Sequence, residues 1–222
     1  MDGNGRWAKK KHLPTIAGHR AGAATARAIT EHAAKMGIQY LTLYTFSSEN
    51  WLRDKAWIND FMGLLRWYLG SEIKDIMAQG VRVRVIGDRT LFPEDIQTLI
   101  AETEIKTQHN TTITVILALS YGGRDEILRA VRTLATKAQR GEIAPEAIDI
   151  ATLEGVLDTA SMPHPDLLIR TSGEQRISNF LLWQMAYTEF VFVPELWPDF
   201  TPEIFEQAIN DYQHRKRRYG TD

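Results

Sequence analysis

The alternating run Val81–Ile86 (VRVRVI) sets the strongest limit on how this chain folds. Valine at every second position specifies a strand, and Gly87-Asp88 closes it. Gln39–Phe46 (QYLTLYTF) and Thr111–Leu119 (TTITVILAL) read as buried strands, and apolar residues at helical spacing separate these segments. Residues 20–36 place Ala26, Ile29, Ala33 and Met36 on one side, with Gly37 as a stop. Ile58, Phe61, Met62, Leu65, Leu69, Ile73 and Ile76 predict one long helix reaching about Met77. Pro93 opens another, and Tyr121-Gly122-Gly123 turns into a helix from about Arg124 to Arg140. Beyond a looser polar stretch at 141–165, Ala151–Leu157 and Asn179–Ala186 read as helices, and Asp166–Arg170 and Glu189–Val193 as strands. Thr201 caps a last helix with Pro202 at its first position, running to Tyr219. This alternation predicts an α/β fold with a mostly parallel central sheet flanked by helices. With 222 residues and no break in composition, residues 1–222 are expected to form a single domain.

Sheets of this kind bind ligands beyond the carboxyl ends of their strands. The segments at those ends, Ser47–Arg53, Gly87–Arg89, Ser120–Arg124 and Arg170–Arg176, are rich in polar residues or glycine and are expected to converge. Composition narrows what they handle. A formal net charge of -2 gives no reason to expect nucleic acid or an acidic membrane as partner. The absence of cysteine excludes disulfides, thiolate catalysis and a cysteine-based zinc site, and fits a reducing compartment. No apolar run approaches the ~20 residues of a membrane span, and no signal-peptide core opens the chain. A soluble cytoplasmic protein that still handles greasy ligands is expected.

Arg170–Glu189 (RTSGEQRISNFLLWQMAYTE) carries the densest chemistry. Arg170 and Arg176, with Ser172, Gly173 and Ser178, form a donor-rich loop whose planar guanidinium forks suit phosphate oxygens. A solvated arginine loop followed by a core helix explains the same residues. Asp2-Gly3-Asn4-Gly5-Arg6-Trp7 is either a tight turn or a phosphate loop in which Arg6 clamps and Asp2 holds Mg²⁺. His19 is a structural histidine or a donor to phosphate. In Ser47-Ser48-Glu49-Asn50-Trp51, Asn50 can orient a reacting group and nearby Arg53 can bind phosphate, or the segment is a capped loop with a buried tryptophan. Glu189 is a site carboxylate or an exposed strand end, and Arg215–Arg218 is accounted for by the helix dipole.

Six collinear segments together resemble the cis-prenyltransferase family, and within it the bacterial undecaprenyl diphosphate synthases. They are Met1–Lys10 (MDGNGRWAKK), Gly18–Gly22 (GHRAG), Leu41–Trp51 (LTLYTFSSENW), Tyr121–Arg124 (YGGR), Asp166–Glu189 and Leu196–Phe200 (LWPDF). The resemblance implies Mg²⁺-dependent condensation of isopentenyl diphosphate onto an allylic diphosphate, usually farnesyl diphosphate. Each new double bond is cis, and the product is the undecaprenyl carrier for cell-wall synthesis. By matching position, Asp2 is the key carboxylate near metal and diphosphates, and Glu189 assists the metal region. Gly3, Asn4, Gly5, Arg6, His19 and Arg53 surround the allylic diphosphate, and Trp7 and Trp51 are further substrate-binding residues. Arg170, Arg176 and Ser178 hold isopentenyl diphosphate, and Asn50 and Ser47 lie near the reacting centre. A homodimer is implied, with Arg218-Tyr219-Gly220 near the subunit contact and peripheral membrane contact for product release. The family's hydrocarbon tunnel is expected between the Ile58–Met77 helix and the strand Gln39–Phe46.

Departures from the pattern carry their own expectations. The family has a strand ending at the position of Met1–Gly5, so an upstream strand is expected outside this sequence. Thr15 stands where an arginine of the allylic site is common, with Lys9–Lys11 as substitutes. Asp54 and Trp57 replace a proline and a glutamate, and Ile116 replaces an asparagine. Bulky Trp57 and Phe61 predict a shortened product, the alternative to a long-chain synthase. A non-catalytic partner subunit of the same fold is the other alternative, disfavoured because the Asp2–Arg6 and arginine-rich motifs are intact.

Overall fold

The computed structural model describes residues 1–71 and 73–215. Three strands, β1 (Tyr40–Ser47), β2 (Val81–Ile86) and β3 (Ile113–Tyr121), form a fully parallel sheet in the order β1-β3-β2. Leu117 of β3 pairs with Leu43 on one side and Val85 on the other. β3 is buried along nearly its whole length, as a central strand covered on both faces must be, and this explains its unbroken apolar run. A second parallel pair, β4 (Leu167–Arg170) and β5 (Glu189–Phe192), runs in register from Leu167–Glu189 to Arg170–Phe192. Among the described residues the expected parallel sheet is present in two pieces, and β1 and β4 both line one cavity.

Helices supply the crossovers that parallel strands require. α1 (Asn4–Lys10) and α2 (Thr15–Lys35) precede β1, and α3 (Lys55–Ser71) and α4 (Ile73–Ala78) lead to β2. α5 (Glu94–Thr107) leads to β3, and α6 (Gly123–Gln139), α7 (Ile150–Glu154) and α8 (Pro202–Gln213) complete the set. Ile29, Phe46, Ile96, Ile100, Ile113 and Leu119 are at most 1% exposed and define the centre of the core. Thr201 caps α8 as expected, accepting from the Ile204 N–H. The Arg218-Tyr219-Gly220 motif and the continuation of α8 to Tyr219 lie outside the described residues.

Local geometry departs from the sequence expectations in three places. The Asp2–Trp7 turn is the entry to α1, with Gly3 at φ 108° in the left-handed region. α2 begins at Thr15 rather than near residue 20, because Pro14 at its N-cap fixes an extended entry. Asn179–Ala186 forms turns instead of a helix. Positive φ at Ser178 (47°), Asn179 (61°) and Leu181 (41°) prevents right-handed propagation.

A buried polar knot underlies those turns. Glu126, 1% exposed, accepts from Tyr121 Oη at 2.5 Å, Gln184 Nε2 at 3.0 Å and the Asp158 N–H at 3.0 Å. Asp158 in turn accepts from the Gly87 N–H at 2.9 Å and from both terminal nitrogens of Arg129 at 2.8 and 2.7 Å. Burial raises the Glu126 pKa, and the donors Tyr121 and Gln184 oppose that rise. The knot ties the ends of β2 and β3 and the start of α6 to Gln184. Glu126→Ala removes the acceptor of three donors, of which Gln184 keeps its bond to Thr159, and is expected to cost about 3 kcal/mol, with Glu126→Gln costing less. Urea unfolding midpoints at constant m-value measure both.

Candidate functional site

Asp2 is the meeting point of the chain's first residues and the end of β4. Its N–H donates to Thr171 Oγ1 at 3.0 Å, and its carbonyl accepts from Ser172 Oγ at 2.8 Å and the Trp197 N–H at 2.9 Å. Its carboxylate takes a hydrogen bond from Arg170 Nη2 at 3.2 Å and an ion pair from Arg6 Nη2 at 3.4 Å. Burial pushes the Asp2 pKa up, but Arg170 and Arg6 outweigh it and hold the carboxyl below its ordinary value. Close approach of α1 and α2 makes this placement possible. A Cβ on Gly18 would lie 2.1 Å from the Asn4 carbonyl oxygen, so α2 needs glycine there.

The cavity beside Asp2 encloses about 1230 Å³. Asp2, Gly3, Asn4, Gly5 and Arg6 reach it from the N-terminal segment, and His19 and Thr15 reach it from α2. Ser47, Asn50 and Arg53 enter from the end of β1, and Arg170, Arg176 and Ser178 from the end of β4. Twelve of the fifteen residues singled out from sequence therefore share one cavity. Of the four strand-end segments, only those after β1 and β4 reach it; Arg89 is instead paired with Glu104 at 2.6 Å, and Ser120 is buried.

Two sets of donors are distinguishable. Arg170 Nη1 donates to Ser178 Oγ at 2.9 Å and to the Arg176 carbonyl, folding the loop back on the end of β4. Tyr44 Oη donates to the Tyr121 carbonyl at 3.1 Å and the Ser178 carbonyl at 3.4 Å; burial pushes its pKa up, so it stays a donor. Asn179 Nδ2 donates to Glu49 Oε1 at 2.8 Å, joining this loop to the end of β1. On the other side, Arg53 and His19 flank the Trp57 ring. Burial lowers the His19 pKa, and the Arg53 charge lowers it further. The Asn50 side-chain oxygen accepts from the Ser47 N–H at 3.0 Å, which fixes the amide's direction.

Glu174, which sequence reasoning passed over, joins the two sets. Its carboxylate lies 3.1 Å from Arg6 Nη1 and 2.5 Å from Arg176 Nη1. Its position two residues before Arg176 was the available signal. Thr171 and Ser172 were visible as loop polar residues, but their bonds to Asp2 needed the fold.

Three expected site residues stand apart. Trp7 donates to Asp199 at 2.7 Å, with Lys11 Nζ 4.2 Å from its ring centroid. Trp51 packs on Phe46 and Phe92 and donates to Ser120 Oγ at 2.9 Å. Glu189 pairs with Arg215 at 2.8 Å at the far end of the β4–β5 register, roughly 10 Å of strand from the Arg170 level. The expected walls also divide: β1 lines the cavity from Tyr40 to Ser47, whereas α3 reaches it through Trp57 and Phe61 is buried in the core.

A Mg²⁺ ion prefers oxygen ligands and commonly uses one or two carboxylates with substrate phosphates completing the shell. Among the described residues no cluster of three or more His, Cys, Asp or Glu is suited to hold a metal alone. Asp2, a half-exposed carboxylate on the cavity wall between two arginines, fits the single-carboxylate arrangement.

Known proteins share both sequence and shape with this chain. The undecaprenyl diphosphate synthase family model matches residues 1–220. An isoprenyl transferase of Rhizobium meliloti (strain 1021) is 50% identical over 99% of this chain and 89% of its own length. The ditrans,polycis-undecaprenyl-diphosphate synthase ((2E,6E)-farnesyl-diphosphate specific) of Micrococcus luteus is 47% identical over 99% and 88%. The crystal structure of lavandulyl diphosphate synthase from Lavandula x intermedia, in complex with dimethylallyl diphosphate, superposes with a TM-score of 0.96. It is 37% identical, covering 100% of this chain and 95% of that one.

Because Asp2 has a depressed folded pKa, its ionised form contributes stability above the ordinary value of 3.8, and that contribution is lost as pH falls through the folded value. Asp2→Asn is therefore expected to be less stable than wild type at pH 7. The gap closes on acidification below 3.8, as followed by urea unfolding across pH.

Proposed function

This chain belongs to the undecaprenyl diphosphate synthase family of cis-prenyltransferases, and we propose that it condenses isopentenyl diphosphate onto an allylic diphosphate, with farnesyl diphosphate as the allylic substrate. The observation that carries this reading is Asp2, set between two donor groups at an apolar-walled cavity. In this assignment Arg6, His19 and Arg53 bind the allylic diphosphate, with the backbone of Gly3–Gly5. Arg170, Arg176 and Ser178 bind isopentenyl diphosphate. Bound Mg²⁺ supplies charge neutralisation on the diphosphates, and Asp2 is the residue that would hold it.

The reaction breaks the allylic carbon–oxygen bond and joins that carbon to the terminal alkene carbon of isopentenyl diphosphate. A proton then leaves to form the new double bond. Negative charge develops on the departing diphosphate, where guanidinium groups that are already positioned lower the barrier. The Arg170–Arg176–Ser178 loop contributes by holding the second substrate in reach. Asn50, whose oxygen is already bonded to the Ser47 N–H, is suited to orient rather than to remove the proton. Leu41, Leu43, Ile38 and Phe205 give the growing hydrocarbon an apolar wall.

The wider proposal is a cytoplasmic homodimer that makes the undecaprenyl carrier. Tyr187, Phe190 and Phe192 are exposed and support a subunit contact. Leu52, 89% exposed next to Arg53, supports peripheral contact with a bilayer as product leaves. Among the described residues no helix is long and apolar enough to cross a membrane. Glu189 keeps its proposed metal-assisting role only through rearrangement of its pair with Arg215, which makes it the weakest member of the set. A short-chain product is the second reading, favoured by the Trp57 ring on the cavity wall.

Turnover with Mg²⁺, farnesyl diphosphate and labelled isopentenyl diphosphate tests the function. Wild type is expected to release diphosphate and extend the chain, and Asp2→Ala to lose at least about a thousandfold in kcat. Release unchanged by that substitution removes the assignment, and a predominantly C55 product removes the short-chain reading. A proton balance supplies a separate check. His19 has a lowered pKa in the free protein, and an adjacent diphosphate raises it. Binding of inorganic diphosphate is expected to add proton uptake at His19 to the protons that the diphosphate itself exchanges, read by calorimetry in buffers of different ionisation enthalpy. His19→Phe removes that uptake.

A further inference from the structure

Two residues that depart from the family pattern, Asp54 and Trp57, form one unit with Arg53. The Asp54 carboxylate accepts from the Trp57 N–H at 2.8 Å, which caps the first turn of α3 and fixes where Trp57 leaves the helix. The Trp57 ring is then held by the core, stacked at 9° on Phe61 with centroids 5.7 Å apart and at 23° on Phe46 with centroids 5.9 Å apart. On this anchored surface lies the Arg53 guanidinium, its carbon 4.4 Å from the ring centroid. The His19 ring meets Trp57 edge-on at 5.5 Å. Arg53 has no carboxylate within ion-pair distance among the described residues, so the indole face is the contact that gives the exposed side chain a direction. Trp57 keeps a buried Nε1–H without an acceptor, an unfavourable feature that local hydrogen bonding does not explain. Thr15, on the same cavity wall, supplies no charge.

We propose that Trp57 is a positioning residue for allylic diphosphate binding, its ring holding Arg53 over the cavity and bracing His19. The proposal rests on the assignment of Arg53 and His19 to that diphosphate. A flexible arginine loses rotamer freedom when it binds phosphate, and a ring that already orients it removes part of that cost. Cation–π contacts of this kind are of a size to change affinity by about fivefold.

Trp57→Leu keeps apolar volume but loses the ring face, whereas Trp57→Phe keeps a face. Trp57→Leu is expected to raise the KM for the allylic diphosphate about fivefold, to leave the KM for isopentenyl diphosphate unchanged, and to be largely rescued by Trp57→Phe. In an Arg53→Ala background, Trp57→Leu adds little further to the allylic KM. A merely structural role would lower the melting temperature without this selective, non-additive pattern, and that result overturns the proposal. Calorimetric binding of a non-ionising allylic thiodiphosphate, which the allylic site takes, separates the two levels of inference. Loss of affinity in Arg53→Ala but not in Trp57→Leu overturns the role of Trp57, while affinity unchanged in Arg53→Ala removes the assignment of Arg53 itself.

Discussion

The hydrogen-bonded join between Asp2 and the end of β4 is the constraint on which the rest of the site depends. Arg170, Thr171 and Ser172 all bond to Asp2, through side chain or backbone, across some 170 residues of sequence. The join brings a carboxylate that is kept ionised into contact with guanidinium groups from two separate segments. A carboxylate among cations costs little to keep charged at neutral pH, and it limits the mutual repulsion of the arginines. Glu174 repeats the device between Arg6 and Arg176. Without these acidic partners the cations would splay apart in the free protein.

Around that join, one cavity is both charged and greasy. Apolar residues of β1 and β4 line it, and the segments after their carboxyl ends add polar groups. The segments after both carboxyl ends reach the same cavity, so charged and apolar groups are neighbours on its wall. The buried Glu126 knot fixes the positive-φ turns through Gln184, and Asn179 and Tyr44 fix the same loop from the β1 side. Position in the donor loop is thus set by Glu126, which does not line the cavity, and by Gln184, Asn179 and Tyr44, which do.

Much of this was legible in the chain because the governing signals were local. The alternation in Val81–Ile86, the apolar run of β3 and the Thr201-Pro202 cap each produced the element they specify. The helix expected at Asn179–Ala186 failed because its apolar spacing gave no sign of left-handed residues at 178, 179 and 181. Those conformations are held by the Glu126, Asn179 and Tyr44 contacts, which are long-range. Likewise, Arg6, Arg53 and Arg170 could be chosen by residue type near strand ends, but register decides Glu189. Parallel pairing sets it opposite Leu167, at the opposite end from Arg170. Trp7 and Trp51 show the corresponding limit for aromatic residues, since adjacency in a motif does not fix the direction of a ring. Trp57 was conspicuous by size, whereas its contact with Arg53 became visible only with the first turn of α3 in place.

In the proposed function Asp2 separates two diphosphate sites, one served by Arg6, His19 and Arg53 and the other by Arg170, Arg176 and Ser178. A crystal structure with Mg²⁺, isopentenyl diphosphate and a non-ionising allylic thiodiphosphate tests it directly. Two separate diphosphate groups are expected, one on each set, with the Asp2 carboxylate beside the metal. A single diphosphate bridging both sets, or a metal held away from Asp2, would contradict it.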